Sequence, residues 1–335
     1  MTDRTSAQAP PAGGGGTAPV ALFVYRRPDH TRRLLDSLRR NALAPDSVLY
    51  VFSDGAARTD DVPAVQAVRE QLRQLDGFAQ VVLMEREGNV GCADNIIRGV
   101  GQVLEAHDSV IVVEDDLVLA PDFLAFMNAG LRAYRDRPEI FSVSAASPPP
   151  REMPLPADYP WDVYLAPRTS PWGWGTWRDR WDAVDWRMPD YPRFRFNPVL
   201  RRRLTRGGND LGSMLDDQMA GRIDAWDVRF NYAQIMAGRF SLYPRFSYVV
   251  NAGLDGSGTH CRAADRYQVD LADAQMVPEM PADLAPDARI LKAVRHYHDE
   301  HPVSWLLGTI PGVRWLVRGV KKRLGMDRPL LKRRG

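Results

Sequence analysis

The feature that most constrains this chain is a regular alternation between continuous apolar runs and amphipathic segments in its first third. The apolar runs cover residues 18–25, 47–55, 78–87 and 109–116, and the amphipathic segments cover residues 28–40, 61–75 and 92–106. Continuous apolar runs are typical of strands that are buried on both faces. Strands and helices that alternate with short connections predict a mostly parallel α/β sheet with helices on both faces.

Polar residues follow three of the predicted strands at their carboxyl ends. They are Arg26 and Arg27 after the first strand, Asp54 after the second, and Glu114, Asp115 and Asp116 at the end of the fourth. Ligands of open parallel sheets bind beyond the carboxyl ends of the strands. The sequence therefore predicts a ligand site at this edge of the sheet.

Composition and charge exclude several classes of protein. The 335 residues include 44 basic and 42 acidic side chains, but nine basic residues and one acidic residue lie after residue 302, so the preceding chain is net acidic. That body does not fit a nucleic-acid binder. Two cysteines, Cys92 and Cys261, are too few for a disulfide scaffold or a cysteine-rich zinc site. Without a long apolar run or a signal-peptide pattern, we expect a cytoplasmic protein.

Beyond residue 120 the periodicity weakens. We expect a helix over residues 121–138, Pro- and Trp-rich loops laid across the sheet over 148–198, and a mixed segment over 209–262. The predicted organisation is a disordered tail at 1–17, one α/β domain at 18–262, and a connector with a basic extension at 263–335.

The triplet Glu114-Asp115-Asp116 is the strongest chemical signal in the chain. Three adjacent carboxylates at the end of a buried strand repel one another unless a cation or hydrogen-bond donors offset their charge. Such oxygen ligands suit Mg²⁺ or Mn²⁺ that is shared with substrate phosphates. The alternative is a solvated acidic turn, or an N-cap for the helix after Pro121.

The segment VVEDDLVLAPDFLAFM, residues 112–127, resembles the metal-binding segment of GT-A-fold nucleotide-sugar glycosyltransferases. It is especially similar to the N-acetylglucosaminyltransferase I family and to related bacterial sugar transferases. The resemblance implies a GT-A (Rossmann-like) fold in which Asp116 binds Mn²⁺ or Mg²⁺. It also implies that Glu114 and Asp115 reach the nucleotide-sugar.

The resemblance extends upstream of the triplet to Arg26 and Asp54, and the location of Asn89 at a strand end adds a third candidate. YRRPDHTRRLLDSL, residues 25–38, is similar to the family's first strand-to-helix turn, which implies that Arg26 meets the nucleotide diphosphate. Asp54 in FSDG resembles the acid that binds the uracil of UDP, and Asn89 in GNVG is placed to help position the sugar nucleotide. The alternatives are a surface charge pair for Arg26 and a simple turn signal for Asp54.

Six of the 9 tryptophans fall between residues 161 and 186, most of them in SPWGWGTWRDRW. Flat ring faces with an N–H group suit the C–H faces of sugars, and the string resembles a loop of the bacterial relatives. We therefore expect Trp172, Trp174 and Trp177 to contact the acceptor. A core beneath a long loop is the alternative, because tryptophans are usually buried.

The resemblance also implies a catalytic base and a further metal ligand near the end of the domain. GRIDAWDVRF, residues 221–230, supplies Asp224 and Asp227 on either side of a tryptophan. The family's order favours Asp224 as the base, the reverse order favours Asp227, and the spacing leaves both open. A helix N-cap is the alternative for Asp224. His260, after a glycine-rich loop, matches the C-terminal histidine that often completes the GT-A metal site.

Residues 304–325 interleave apolar and basic side chains. This pattern suits an amphipathic helix on an anionic membrane surface, which predicts a peripheral contact at the inner membrane face. A helix docked on the body with a solvated basic face is the alternative.

Together these features predict a metal-dependent transferase that moves a sugar from a nucleotide-sugar, expected to be a UDP-sugar, to a hydroxyl of a saccharide or glycolipid. Inversion at the anomeric carbon, and a place in bacterial polysaccharide or glycolipid synthesis, follow from the resemblance alone. Two rivals are a sugar-nucleotide nucleotidyltransferase and a non-catalytic carbohydrate-binding protein. The first usually has a glycine-rich loop where YRRPDHT stands, and the second would not need three acids at a strand end.

Overall fold

The computed structural model describes residues 16–255, residue 271 and residues 277–299. The predicted strands and helices of the first third are all present. They are β1 Val20–Val24, α1 Pro28–Arg39, β2 Val48–Ser53, α2 Val62–Arg73, β3 Gln80–Glu85, α3 Cys92–Ala106 and β4 Ser109–Glu114. The alternation of apolar and amphipathic segments therefore predicted this part of the fold correctly.

The remaining elements are shorter and less regular. They are β5 Leu117–Leu119, α4 Phe123–Ala133, β6 Ile140–Ser144, β7 Val163–Ala166, β8 Trp174–Trp177, α5 Arg178–Asp182, α6 Tyr191–Phe196, α7 Pro198–Leu204, α8 Leu211–Met219, α9 Asp227–Ala237, β9 Phe240–Pro244, β10 Val249–Asn251 and α10 Ala288–His298. None of the helices in the described ranges is long and apolar enough to cross a membrane.

Eight strands form one sheet in the order β3-β2-β1-β4-β8-β6-β9-β7. The pairs among β1, β2, β3 and β4 are parallel, as is the pair of β6 with β9, whereas β8 and β7 run antiparallel to their neighbours. β10 and β5 form a second, two-stranded antiparallel sheet. The structure is thus the mostly parallel, Rossmann-like α/β fold that the sequence predicted.

Strand β8 corrects the expectation of loops over residues 148–198. It enters the sheet between β4 and β6, with Trp174 opposite Val112. Gly175 permits this close fit, because a Cβ there would lie 2.8 Å from the Val110 carbonyl oxygen. Since glycine and threonine occupy the two middle positions of WGTW, the strand lacks the continuous apolar run that identified β1 to β4.

The two faces of the sheet are covered by different helices, and β1 shows why its sequence is apolar throughout. Leu22 belongs to the core that contains the leucines of α1, such as Leu34. The next residue, Phe23, belongs to the opposite core, where it stacks on Phe52 and shares a cluster with Ile96 of α3. Alternate residues of a strand point to opposite faces, so both sets must be apolar here.

Helix α10 covers the outer strand of the sheet. Ile290 and Val294 of this helix lie in one buried cluster with Tyr164 of β7. A covered edge strand is protected from pairing with other chains. Residues 277–299, which the sequence analysis assigned to the connector and extension, therefore pack against the main sheet.

Candidate active site at the carboxyl edge of the sheet

Parallel neighbours bring the predicted site residues to one edge. Phe23 of β1 pairs in register with Phe52 of β2 and with Glu114 of β4, so the residues that follow these three strands emerge side by side. The start of α9 approaches the same edge. Asp224, just before α9, accepts a hydrogen bond of 3.3 Å from Ala93 N at the start of α3. Desolvation, followed by the charges of Glu114, Asp224 and Asp227, raises the pKa of the adjacent Cys92 thiol.

The three acids at the end of β4 form a concentrated negative charge. Asp115 is 8% exposed, and its Oδ2 accepts a hydrogen bond of 3.1 Å from the backbone N–H of Tyr25. Desolvation raises the pKa of Asp115 to about 6, although the charge of Arg27 opposes the rise. Desolvation, together with the charges of Asp116 and Asp115, raises the pKa of Glu114 well above the usual glutamate range. A bound cation would stabilise this arrangement.

Arg27 is the counter-charge of the triplet, and sequence reasoning had favoured its neighbour Arg26. The Arg27 Nη1 lies 3.3 Å from Asp116 Oδ2 and 3.9 Å from Asp115 Oδ1. Gly253 packs directly against the ion pair of Arg27 and Asp116. A Cβ at this position would lie 2.6 Å from Asp116 Oδ2 and 3.0 Å from Arg27 Nη1, so only glycine fits without a shift of these side chains. Both arginines follow β1, the parallel neighbour of β4, so the sequence contains no signal that distinguishes Arg27 from Arg26 as the partner of the triplet.

Arg26 has a different partner. Its guanidinium forms an ion pair with Asp61, which precedes α2, and Asp61 also accepts a 3.0 Å hydrogen bond from the Tyr25 hydroxyl. The Arg26 side chain is 39% exposed, so this pair lies where a ligand could compete for it. The role of Arg26 toward a diphosphate stays a prediction.

Asp54 organises the turn between β3 and α3. It is 5% exposed, and its carboxylate accepts four hydrogen bonds. The donors are Gly55 N at 2.9 Å, Val90 N at 2.9 Å, Asn89 Nδ2 at 3.0 Å and Gly91 N at 3.1 Å. Asp54 and Asn89 are thus brought together by a direct hydrogen bond between their side chains. Their contacts with uracil and with the sugar nucleotide stay predictions.

The two acids near the start of α9 lie in different surroundings. Asp224 is exposed, and its Oδ2 accepts a 3.3 Å hydrogen bond from Ala93 N in the first turn of α3, so it caps that helix and not its own. Asp227 is half-buried at the first position of α9, and desolvation raises its pKa although Arg168 opposes the rise. The charge of Asp227 also contributes to the raised pKa of Glu114.

An ion pair that the sequence analysis did not anticipate lies beside Asp227. Arg168 is 9% exposed, and its Nη1 lies 2.8 Å from both carboxylate oxygens of Asp210. The same Nη1 also donates to the Gly207 carbonyl at 3.3 Å. Arg168 stands in the Pro- and Trp-rich segment without a motif around it, so no sequence signal identified it.

Trp174 and Trp177, which the sequence predicted to contact the acceptor, are instead packed in the core. Trp174 is fully buried and stacks on Trp226 at a ring-centroid distance of 4.3 Å. Trp177 is 3% exposed, and its Nε1 donates a 3.0 Å hydrogen bond to the Leu131 carbonyl. Neither ring presents a face to a ligand, because β8 runs through the middle of the sheet. Trp172 is half-buried just before β8, and its acceptor role stays a prediction.

The described residues provide only part of a site for the implied metal ion. In residues 16–255, 271 and 277–299, no group of three or more His, Cys, Asp or Glu side chains could hold one. The predicted ligand His260 lies outside these ranges. Asp115 and Asp116 nevertheless provide adjacent carboxylates, and Mg²⁺ in nucleotide enzymes is commonly held by one or two carboxylates plus substrate phosphates. The donor set fits a cation that binds together with a diphosphate.

No protein-family model matches the sequence, and no curated protein matches it either. Among solved structures, the chain is similar to a mannosyltransferase from Pyrobaculum calidifontis in complex with GDP-Man and Mn²⁺. The two share 17% identity, and the TM-score is 0.34. The match covers 49% of this chain and 46% of the mannosyltransferase, so it spans less than half of either protein.

Proposed function

We propose that this protein transfers a sugar from a nucleotide-sugar, expected to be a UDP-sugar, to a hydroxyl group of a saccharide or glycolipid. The proposal is supported by two acidic groups at the carboxyl edge of a mostly parallel sheet, one at the end of β4 and one hydrogen-bonded to the start of α3. One group is the triplet ending in Asp116, and the other is the pair Asp224 and Asp227. The first suits a metal-bound diphosphate and the second suits a base for the acceptor.

Asp116, assisted by Asp115, would hold Mg²⁺ or Mn²⁺. When bound, the cation offsets the negative charge of the leaving diphosphate. Arg27 already lies against these carboxylates, and its guanidinium can exchange a carboxylate for phosphate oxygens, which it binds in a similar geometry. Arg27 would then keep the donor oriented and share in balancing its charge.

Asp227 is the better-supported base. A base works best when its pKa approaches the operating pH, and desolvation raises the pKa of Asp227 in that direction. Asp224 is exposed and already accepts a hydrogen bond from the start of α3. Asp227 would remove the proton of the acceptor hydroxyl as that oxygen attacks the anomeric carbon. A single displacement of this kind inverts the configuration of the sugar. A place in bacterial polysaccharide or glycolipid synthesis belongs to the same proposal.

Asp227→Asn is expected to lower kcat/KM for sugar transfer by about 10²–10⁴-fold, as removal of a general base does. Because the base must be ionised, wild-type activity should fall as the pH drops through the raised pKa of Asp227. At saturating Mn²⁺, which holds the carboxylates of Asp115 and Asp116 in the ionised form, this acidic limb of the pH profile should vanish in the variant. The matched variant, Asp224→Asn, should retain the limb and lose less than about tenfold. Activity measured from about pH 4 to about pH 9 distinguishes the two. If the acidic limb of the pH profile disappeared in Asp224→Asn and persisted in Asp227→Asn, the base would be Asp224.

The proposed function is tested by thermal unfolding with UDP and a panel of other nucleoside diphosphates, each with and without Mn²⁺. UDP is expected to raise Tm only when the metal is present. At a UDP concentration one hundred times the Kd for UDP, the free energy of unfolding should increase by about 2.7 kcal/mol. Failure of every nucleotide to stabilise the protein would contradict the proposal and favour a carbohydrate-binding protein. Product analysis with the active sugar nucleotide then separates the enzymes, because a nucleotidyltransferase would exchange pyrophosphate and a glycosyltransferase would release a nucleoside diphosphate.

A further inference from the structure

The helices α6 and α7 carry an unusually basic surface. Residues 187–206 contain seven arginines and a single acidic residue, Asp190. Most of these arginines are exposed, and Arg201 is tied to Asp216 by an ion pair of 2.9 Å. Four of the other arginines form no ion pair with a carboxylate of the described residues. These arginines are Arg193, Arg195, Arg202 and Arg203.

Two large apolar side chains are exposed among these arginines. Phe196 is 79% exposed and Val199 is 73% exposed, the highest values among the large apolar side chains of the described residues. They flank Asn197, which caps α7 by accepting hydrogen bonds from Val199 N at 3.0 Å and Leu200 N at 3.1 Å. The guanidinium of Arg195 lies 5.3 Å from the centroid of the Phe196 ring. Exposed apolar groups ringed by charge mark interaction sites.

These residues are exposed although the helices around them are well packed. Phe194 and Leu204 are 0% and 1% exposed and belong to a buried cluster with Val228 and Tyr232 of α9. The pair α6–α7 is therefore amphipathic, with an inner face that holds it to the protein. Its outer face joins apolar groups to unpaired positive charge.

We propose that the outer face of α6 and α7 is a contact surface for the anionic headgroups of a lipid bilayer. In this arrangement Phe196 and Val199 enter the interface between headgroups and acyl chains, and the arginines bind lipid phosphates. A nucleic acid would also neutralise the arginines, but it offers no apolar medium for the aliphatic side chain of Val199. This surface is separate from residues 304–325, which lie outside the described ranges.

The surface is attached to the candidate active site through one helix. Val228 and Tyr232 of α9 pack in the cluster beneath α6 and α7, and the same helix begins at Asp227. With a rise of about 1.5 Å per residue, Tyr232 lies only about 7.5 Å along the axis from Asp227. Lipid binding by this surface can be measured without sugar transfer.

The test is co-sedimentation of the full chain with vesicles of phosphatidylcholine, alone or with about 30% phosphatidylglycerol. Binding is expected only to the anionic vesicles. Arg195→Glu/Arg202→Glu should weaken it by about tenfold or more, and Phe196→Ser/Val199→Ser by about fivefold. The control, Arg40→Glu/Arg132→Glu, makes the same charge change at two exposed arginines elsewhere and should stay within about twofold.

Each variant keeps residues 304–325, so any contribution of that segment is constant across the set. Circular dichroism and Tm verify that the variants fold. Unchanged binding in both α6–α7 variants would overturn the proposal, as would an equal loss in the control pair. Loss on charge reversal alone, with full binding by Phe196→Ser/Val199→Ser and competition by a polynucleotide, would overturn it in favour of a nucleic-acid contact.

Discussion

Asp116→Asn is expected to lower metal-dependent sugar transfer by about three orders of magnitude while leaving the fold intact. The Asp116 side chain is 18% exposed, compared with 12% for Asp115, and Arg27 is its ion-pair partner. Its backbone carbonyl, which accepts a 2.7 Å hydrogen bond from Ala252 N, is unaffected by the substitution. The amide keeps the shape of the carboxylate but removes the charge that a divalent cation requires.

The measurement for Asp116→Asn combines turnover with direct titration of Mn²⁺ in the presence of UDP. Both activity and metal-dependent nucleotide binding should be lost together, with Tm close to that of the unaltered protein. Asp122→Asn is the matched control, because Asp122 is a half-buried acid in the same segment and its loss should leave both quantities unchanged. Full turnover by Asp116→Asn would refute the assignment of the metal to the end of β4.

Asp54→Ala is expected to lower the free energy of unfolding by about 3–5 kcal/mol. The substitution leaves the backbone N–H groups of Val90 and Gly91 without their acceptor. The Asn89 amide also loses the carboxylate, but it keeps its hydrogen bond to the Gly55 carbonyl. Asp54→Asn should cost about half as much, because its one remaining oxygen can still accept two of the hydrogen bonds. Urea unfolding measures both, and the exposed-site control Asp36→Ala should change stability by less than about 0.5 kcal/mol.

The same variants separate two roles of Asp54. If the Asp54 carboxylate only shapes the turn after β3, Asp54→Asn should weaken the binding of all nucleotides equally, measured at a temperature where the variant is folded. If it also contacts uracil, the loss should be larger for UDP than for ADP. A change in unfolding free energy of less than about 1 kcal/mol for Asp54→Ala would show that the four hydrogen bonds contribute little.

The first third of the fold could be predicted because burial on both faces leaves a direct mark on sequence. Val20–Val24 is buried at every position, so its apolar run is unbroken. β8 could not be predicted in the same way, since Gly175 and Thr176 interrupt its apolar pattern and its partners Val112 and Ser144 are distant in sequence. Pairing between distant segments depends on the whole fold, and local periodicity carries no information about it.

The candidate site was predictable down to the strand end but not to the individual side chain. The motif located the acids of β4, and the register of β1, β2 and β4 explains why the residues that follow these strands lie side by side. Arg26 and Arg27 are adjacent in sequence, yet one pairs with Asp61 and the other with Asp116. Likewise, no spacing rule separates Asp224 from Asp227, because their difference lies in exposure and in hydrogen-bond partners, which arise only when α3 and α9 pack.

The position of β8 has a consequence for the newly made chain. On the ribosome, the first four strands and their helices emerge long before residues 174–177, and during that interval one side of β4 has no hydrogen-bonding partner. That open edge is the run Val110–Val113, which is wholly buried in the finished protein. An unpaired apolar edge is prone to pair with other chains. The edge is covered only when the short strand WGTW enters the sheet, so this strand closes an exposed edge as well as joining the two halves of the sheet.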